Sequence, residues 1–523
     1  MAIESEIGLK RLVSTSGIYL VGGVAQQAIG FLLLPLYTKF LATHEYGVLE
    51  LLNTFGLISL MLLNLGLPSA IMKCYHRDCT SETDKEALLP TAIVLSVPIL
   101  SVGCFVIFWL STWLSSLLLG VSEGQHLVKL LATWILLSGV SSMLLAVFRA
   151  REEALIYSML TLSQCLLLLI LNIYFVAFLE LGVEGILWGN TLSSAGIIFS
   201  GIPLLRKRVK LVFQKTLVKP LLAFALVMIP TALAGWVMEM SDRYFLGFFG
   251  NLSEVGLYSL GYKFGRLLEI MIVWPFQLAW PAFSFSISTQ PNHKQIYARA
   301  LTYLSAILIC AVLMLSLMGR SLLQLIVHHN YIGAYRVVPL IALSYLFNGI
   351  YFCVSPGMHL SGNTRYLPLL IVGASVINIL LNILMIPHFG MMGAAWATMI
   401  SFALLASFTF LFSNTVYPIA YEYGRLIKLC SAGLILYCMS LFVHESSAFV
   451  LVSFNTMLIL AFPLSLILVK FFDVEEYEVL LKSLSSVKKC IGLSALWKGS
   501  KHSSMEQPVS GADTRWKPAK KDR

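Results

Sequence analysis

Between positions 239 and 269 of this 523-residue chain, six charged side chains lie inside long apolar segments, apart from Glu254 beside the turn that joins the segments. The acids are Glu239, Asp242 and Glu269, and the bases are Arg243, Lys263 and Arg266. Arginine can form paired hydrogen bonds with phosphate oxygens, whereas lysine acts on a phosphate as a point charge. The bases therefore predict a site for an anionic headgroup, and the acids predict ion-pairing partners that hold the bases when no ligand is bound.

The same charges also fit a purely structural interpretation. A charge that faces lipid at the centre of a bilayer costs about 2.5 to 3.5 kcal/mol, so all six must face protein or water. Three acids and three bases sum to zero, which is what a closed ion-pair network joining the two segments would require. Asp242 and Lys263 lie at similar distances from the turn at 250–253, so we expect them to face each other.

The elements that carry these charges are predicted membrane spans. Hydrophobic residues make up 58% of the chain, charged residues 12%, and the mean hydropathy is +0.83. About 20 apolar residues cross a bilayer as a helix. Fourteen such runs predict an all-α polytopic membrane protein. They centre on residues 12–41, 47–72, 88–115, 127–149, 154–180, 183–205, 219–248, 254–285, 296–326, 335–359, 365–387, 391–413, 423–444 and 447–471.

Lysine and arginine are distributed unevenly between the predicted connections. Eighteen lie on the side of the N-terminus before the C-terminal tail, and four lie on the other side, at Lys39, Lys129, Arg320 and Arg336. Because cytoplasmic loops are enriched in these residues, both termini are predicted to be cytoplasmic. The net charge of +10 is therefore a signal of topology and does not indicate nucleic-acid binding.

Two pairs of short motifs indicate an internal duplication. "EYGVLELLNTFG" (45–56) and "EVGLYSLGYKFG" (254–265) share residues at an offset of 209, and "GVEGILW" (182–188) and "GMMGAAW" (390–396) share residues at an offset of 208. Repeats of six spans have parallel topology, related by an axis along the membrane normal. The predicted divisions are an N-terminal lobe (1–213), a C-terminal lobe (214–414), two extra helices (415–471) and a cytoplasmic tail (472–523).

Two lobes that meet along a central axis are typical of a transporter, because a cavity between them can face either side in turn. Uncharged polar residues supply weaker candidates for contacts with a ligand, namely Gln26 in the first span and Asn53 in the second. Breaks or kinks are predicted at Gly66, Pro68, Pro230, Pro275 and Pro281, where neighbouring groups or water must satisfy the interrupted backbone.

Nothing in the sequence predicts catalysis. It contains no phosphate-binding glycine loop followed by Lys-Ser/Thr, no His-Glu-x-x-His zinc motif and no nucleophile elbow. We therefore expect no enzyme activity, no cofactor and no metal ligands. The nine cysteines lie mostly within spans or in predicted cytoplasmic segments, so no disulfide framework is expected.

Three segments carry a resemblance to a known family. They are "SDRYFLGFFGNLSEVGLYSLGYKFG" (241–265), "FLATHEYGVLELLNTFGLI" (40–58) and "NILMIPHFGMMGAAWAT" (382–398). These segments resemble the oligosaccharide flippase or polysaccharide transport family, called Wzx-type. Its superfamily also contains multidrug and toxic compound extrusion transporters and lipid II flippases. The resemblance covers residues 9 to about 414, and its most specific part is the Asp-Arg pair ahead of a Gly-Leu-Tyr-Ser helix start.

The resemblance implies a flippase that moves undecaprenyl-diphosphate-linked sugar repeat units across the bacterial inner membrane for surface polysaccharide synthesis. It leaves open a coupling ion, either proton or sodium, and a partner among the polymerase or chain-length proteins. The alternatives are a cation-coupled multidrug exporter and a non-transporting scaffold of a polysaccharide assembly complex. Drug exporters often carry an acid in the first span, and residues 12–41 contain none.

Overall fold

The structure is a computed structural model that describes residues 29–79, 81–206, 212–442, 448–471 and 476. Within these ranges all regular secondary structure is helical. The chain divides into two compact units, one that ends at Phe462 and a second that begins at Pro463. The predicted boundaries between the lobes and the extra helices, at 213/214 and 414/415, therefore stay predictions.

The first half of the chain forms eight helices within the described residues. They are α1 (Leu34–Phe40), α2 (Thr43–Leu63), α3 (Leu67–Lys73), α4 (Glu82–Trp109), α5 (Ser111–Leu119), α6 (Gln125–Ala150), α7 (Ala154–Asn172) and α8 (Gly182–Arg206). Two π-helical segments, Cys74–Asp78 and Ile173–Phe178, extend α3 and α7.

The second half continues with ten helices in the described part of the chain. They are α9 (Lys215–Met240), α10 (Asp242–Phe249), α11 (Leu252–Gly265), α12 (Trp274–Ile287), α13 (His293–Ile326), α14 (Val338–Val354), α15 (Pro356–Leu360), α16 (Tyr366–Val416), α17 (Tyr423–Ser440) and α18 (Ala448–Leu468). A π-helical segment, Glu269–Val273, precedes α12, and a 3-10 helix, His329–Arg336, precedes α14.

Ten helices among the described residues are long and apolar enough to cross a membrane, which confirms the predicted helical membrane fold. The eleventh and twelfth predicted runs correspond to the two arms of α16, which are separated by the non-helical Gly390 (φ 53°, ψ −134°). The sixth and thirteenth runs correspond to α8 and α17, which are not among the ten. Most of the first run lies outside the described residues, so the count of fourteen stays a prediction.

The predicted breaks occur at only some of the proposed positions. Gly66 adopts a positive φ of 68° between α2 and α3, and Pro275 lies in the first turn of α12. Pro230 instead lies inside the continuous helix α9, and Pro281 lies inside α12. Between α9 and α10, Ser241 keeps right-handed helical dihedrals (φ −66°, ψ −28°), directly before Asp242.

The backbone repeats itself at the second pair of motifs. Gly182 begins α8 with a φ of 56°, and Gly390 in α16 has a φ of 53°. Glycine adopts this left-handed region without the steric penalty that a Cβ atom imposes. The two glycines of this motif pair therefore share a positive φ.

The first pair of motifs lies where α2 packs against α11. A Cβ atom on Gly47 would lie 1.8 Å from the carbonyl oxygen of Leu252, and one on Gly256 would lie 2.2 Å from that of Thr43. Thr43 and Leu252 are themselves equivalent at the offset of 209. The contact is thus reciprocal, as expected for two copies related by a two-fold axis.

Side chains at the helix starts fix where α2 and α11 begin. The Glu45 carboxylate accepts a hydrogen bond from the backbone N–H of Ala42 at 2.8 Å. The Asn251 side chain accepts one from the backbone N–H of Glu254 at 2.9 Å. Such capping satisfies N–H groups that have no partner within the helix. Both helices are therefore held in register from their first turn.

Candidate functional site

Lys263 of α11 pairs with α2, in the other copy of the repeat. Its Nζ atom lies 2.6 Å from Glu50 Oε1 and donates a hydrogen bond to the Tyr46 hydroxyl at 2.8 Å. The same nitrogen lies 5.2 Å from the centroid of the Tyr46 ring. The Glu50 side chain is 8% exposed, whereas that of Lys263 is 33% exposed. The carboxylate is thus enclosed, and the lysine keeps an accessible side.

Arg266 lies one turn further along the chain and is held by two acids. Its Nε donates to Glu269 Oε2 at 2.7 Å, and its Nη2 lies 3.8 Å from Glu239 Oε2. Glu239 belongs to α9, so the second contact joins α9 to the end of α11. The side chains of Arg266 and Glu239 are both partly exposed, at 28% and 29%.

Arg243 and Asp242 form a buried pair at the start of α10. Arg243 Nη1 lies 3.1 Å from Asp242 Oδ1 and also donates to the backbone carbonyl of Glu239 at 2.8 Å. The Arg243 guanidinium lies 4.6 Å from the centroid of the Tyr262 ring. The two charged side chains are only 3% and 1% exposed, so this pair is enclosed by protein.

A cluster of uncharged polar groups adjoins Asp242. Tyr258 donates a short hydrogen bond to its Oδ2 atom, and Thr398 donates a longer one at 3.4 Å. The neighbouring Ser241 lies 3.5 Å from Asn378 Oδ1, which also accepts a hydrogen bond from Asn382 at 3.0 Å. The buried Asn382 Oδ1 and Asn378 Nδ2 atoms have no hydrogen-bond partner among the described residues. The cluster thus contains two buried amide atoms that can still form a hydrogen bond or bind a ligand.

Asp242 and Lys263, which the sequence predicted to face each other, have different partners in the structure. Asp242 and Lys263 do not pair, because Asp242 binds Arg243 and Lys263 binds Glu50. The predicted link between the two charged segments is supplied by Glu239 and Arg266. The six charges therefore do not form a closed network, since Lys263 has its acidic partner on α2.

Glu50 is a candidate functional residue that the sequence pattern did not single out. The feature of the sequence that could have identified it is a carboxylate within the apolar run at 47–72, inside the first repeated motif. Asn53 lies three residues further along α2, which places it beside Glu50 on the helix surface. Asn53 is half-buried. Gln26 lies outside the described residues, so its predicted role stays a prediction.

The usual protein ligands of metals are scattered rather than grouped. No set of three or more His, Cys, Asp or Glu residues arranged to hold a metal occurs in the described part of the chain. The polar cluster beside Asp242 contains one carboxylate with amide and hydroxyl groups. Such oxygens suit a hard cation better than a transition metal.

The sequence matches a family model described as "Polysaccharide biosynthesis protein" over residues 12–287. This chain belongs to that family. The match includes the ion pairs of α2, α9, α10 and α11, and it confirms the family expected from the three resembling segments. Among curated proteins, none matches the chain.

Solved structures share the fold. The lipid II flippase MurJ, in an inward closed conformation, aligns with a TM-score of 0.67 at 16% identity over 87% of this chain and 98% of MurJ. A multidrug resistance MATE family transporter of the MOP superfamily aligns in its inward-facing conformation with a TM-score of 0.58 at 15% identity, covering 79% and 96% of the two chains. The outward-facing form of such a transporter gives 0.56 at 14% identity, covering 80% and 96%.

Proposed function

We propose that this protein is a flippase that moves an undecaprenyl-diphosphate-linked oligosaccharide across the bacterial inner membrane by alternating access. The product would supply the assembly of a surface polysaccharide, in agreement with the family. The proposal also places the protein in the inner membrane with both termini in the cytoplasm. The main supporting observation is that Lys263 and Arg266 remain partly exposed inside a membrane protein, beside the contact between the two repeats.

The two cations suit the diphosphate of such a substrate. Arg266 has planar N–H donors that can address two phosphate oxygens, and the Lys263 ammonium adds a compact positive charge. Both are held by carboxylates in this structure, so a diphosphate would replace one set of negative oxygens with another. Arg243 is too enclosed to take part directly, and we assign it to holding Asp242.

We assign coupling to a sodium ion at the cluster around Asp242. One carboxylate, the Thr398 hydroxyl and the Asn378 and Asn382 amides supply oxygen atoms, the ligands that hard cations prefer. A proton would need only the Asp242 carboxylate, whereas a metal cation needs several oxygen ligands, so the neutral oxygens around Asp242 favour sodium over a proton. A cation there would compete with Arg243 for Asp242, and so link ion binding to the arrangement of α9, α10 and α16.

A multidrug exporter is the second candidate. The observation that favours it is Glu239, a partly exposed carboxylate that could attract a cationic drug. The fold likeness to multidrug resistance transporters is compatible with either function. The two candidates differ in the charge of the substrate, and transport assays can therefore separate them.

The deciding experiment measures transport of a sugar-diphosphate polyprenyl lipid between the leaflets of reconstituted vesicles. Lys263→Ala and Arg266→Ala are each expected to lower the initial rate about tenfold or more, because each removes a charge that binds phosphate. Lys39→Ala is the matched control, since Lys39 is exposed at the end of α1 and forms no ion pair with a described residue, and its loss should leave the rate unchanged.

Unchanged rates in both site variants would contradict the site assignment. Failure of the wild-type protein to move the lipid, together with export of cationic dyes, would replace the flippase with a drug exporter. Failure in both assays would favour the scaffold of an assembly complex.

A further inference from the structure

Glu50 is the charged group that joins Lys263 to the other copy of the repeat. Its carboxylate lies where an oxygen of a bound phosphate would lie, 2.6 Å from the ammonium nitrogen. The Tyr46 hydroxyl provides a second oxygen at 2.8 Å. Lys263 is therefore bound by two oxygen atoms from α2.

We propose that Glu50 is a built-in competitor of the substrate's diphosphate, and that its displacement from Lys263 releases α2 from α11. This proposal rests on the flippase function and adds a specific role for one residue in it. Lys263 keeps 33% of its side chain exposed, so an incoming anion can approach it while Glu50 still occupies the inner side. A diphosphate carries more negative charge than one carboxylate and so can displace it.

Displacement has a consequence for the packing of the two helices. Glu50 would be left as an enclosed carboxylate without its cation, which is strongly unfavourable. The cost is relieved when α2 moves away from α11 and water reaches the carboxylate. A ligand that binds the separated arrangement better than the packed one shifts the population toward separation. Binding of the anion would thus favour opening of the contact beside it.

The ion pair lies close to the other contacts that join α2 to the second half of the chain, so its loss can weaken all of them. Gly47 and Gly256 bring the backbones of α2 and α11 together, about one turn before Glu50 on α2 and about two turns before Lys263 on α11. Tyr331, in the 3-10 helix before α14, donates a hydrogen bond to the Leu41 carbonyl at 2.9 Å. Its ring meets that of Tyr46 edge to face, with centroids 5.8 Å apart. These contacts lie near the helix ends predicted to be periplasmic.

The test uses the full-length protein in detergent, with inorganic pyrophosphate as the probe. Glu50→Gln preserves shape but removes the competing charge, so the Kd for pyrophosphate is expected to fall about tenfold, within the usual range of coupling between sites. The gain must depend on Lys263. The double variant with Lys263→Ala should bind no better than Lys263→Ala alone.

Glu184→Gln is the control, because it neutralises an exposed acid at the start of α8, outside the charge cluster, and should leave the Kd unchanged. Tyr46→Phe provides a second variant that keeps Glu50 and the aromatic ring. It removes one of the two oxygens on Lys263 and should lower the Kd about two- to threefold. If Glu50→Gln does not fold, Tyr46→Phe decides the question.

An unchanged or higher Kd in folded Glu50→Gln, or a gain that persists without Lys263, would overturn the proposal. The outcome is separable from the flippase function. If lipid transport occurs in vesicles and the Glu50 variants show no gain, only the competitor role fails. If the pyrophosphate results hold and lipid transport is absent, the flippase function fails and displacement of Glu50 by an anion remains.

Discussion

At the scale of residues, burial divides the charges into two groups with different roles. Asp242 and Arg243 are almost fully enclosed and neutralise each other. Between about a quarter and a third of the side-chain surface is exposed in Lys263, Arg266 and Glu239. An enclosed pair stabilises an arrangement of helices, whereas a partly exposed cation can exchange its protein partner for a ligand. Exposure, rather than residue type, therefore selects Lys263 and Arg266 as the proposed substrate site.

Thr398→Val tests the proposed sodium site at this scale. Valine has nearly the shape of threonine but lacks the hydroxyl that contacts Asp242. We expect stimulation of lipid transport by an imposed sodium gradient to fall about tenfold, because one oxygen ligand is lost. Binding of pyrophosphate to the detergent-solubilised protein should stay unchanged, since Lys263 and Arg266 are not affected.

Thr409→Val is the matched control. Thr409 is equally buried on α16, and its hydroxyl has no hydrogen-bond partner within the described residues, so the substitution should leave the sodium response intact. An equal loss in both variants would assign the effect to the packing of α16. A response to a proton gradient alone in the wild-type protein would exclude sodium coupling.

At the scale of elements, the close packing of α2 on α11 depends on two glycines. Gly47 in α2 faces α11, and Gly256 in α11 faces α2. The backbone oxygens of Leu252 and Thr43 occupy the space that a side chain at Gly47 or Gly256 would require. Carbonyl groups within a helix cannot turn aside as a flexible side chain can. The close approach of the two helices allows Lys263 to reach Glu50, so the ion pair depends on both glycines.

Gly256→Ala should therefore separate α2 from α11. The added methyl group is expected to destabilise the packed arrangement by about 1 to 3 kcal/mol, the usual range for an overpacked contact. The measurement is thermal unfolding of the purified protein, followed by transport in vesicles, and both the melting temperature and the rate should fall.

Gly235→Ala is the comparison. No atom of the described residues lies within 4 Å of a Cβ at Gly235, which lies inside α9. Alanine favours a helix interior over glycine by roughly 0.5 to 1 kcal/mol, so this variant should be as stable as the wild type or more so. Equal stability of Gly256→Ala and Gly235→Ala would show that the backbones need not approach so closely.

At the scale of the whole molecule, the duplicated halves and the asymmetry of basic residues together define the proposed transporter. The predicted repeat pairs α2 with α11, and the reciprocal glycine contacts between these two helices fit that prediction. The uneven distribution of lysine and arginine predicts that the end of the molecule at which these contacts lie faces the periplasm. Closure at that end would leave access to the site from the cytoplasm, where lipid-linked sugars are made in the proposed pathway.

Cysteine labelling checks this orientation. His44→Cys, at the start of α2, should react in intact cells with a small thiol reagent that does not cross the inner membrane. Thr83→Cys, at the start of α4, should react only after the membrane is opened. Both positions are exposed. Cys430 and Cys438 are also exposed, and Cys490 belongs to the predicted cytoplasmic tail, so all three must first be replaced by serine. The reverse pattern would invert the predicted topology.

The helical membrane fold, the family and the repeat could all be predicted from the sequence. Long apolar runs can be satisfied in lipid only as helices or closed barrels, and their length here favours helices. The repeat was visible because glycines at 47, 56, 182, 256, 265 and 390 kept their spacing in both copies. The count of fourteen spans stays a prediction, because most of the first run lies outside the described residues.

The partners of the charged residues were decided by the tertiary structure. Sequence distance suggested that Asp242 would meet Lys263, since both lie close to the same turn. The close packing of α2 against α11 instead brought Glu50 to Lys263 from 213 residues away, and left Asp242 with its neighbour Arg243. Hydropathy determines which segments enter the membrane. The contact between two helix faces depends on how all of their neighbours pack, so no local sequence pattern predicts it.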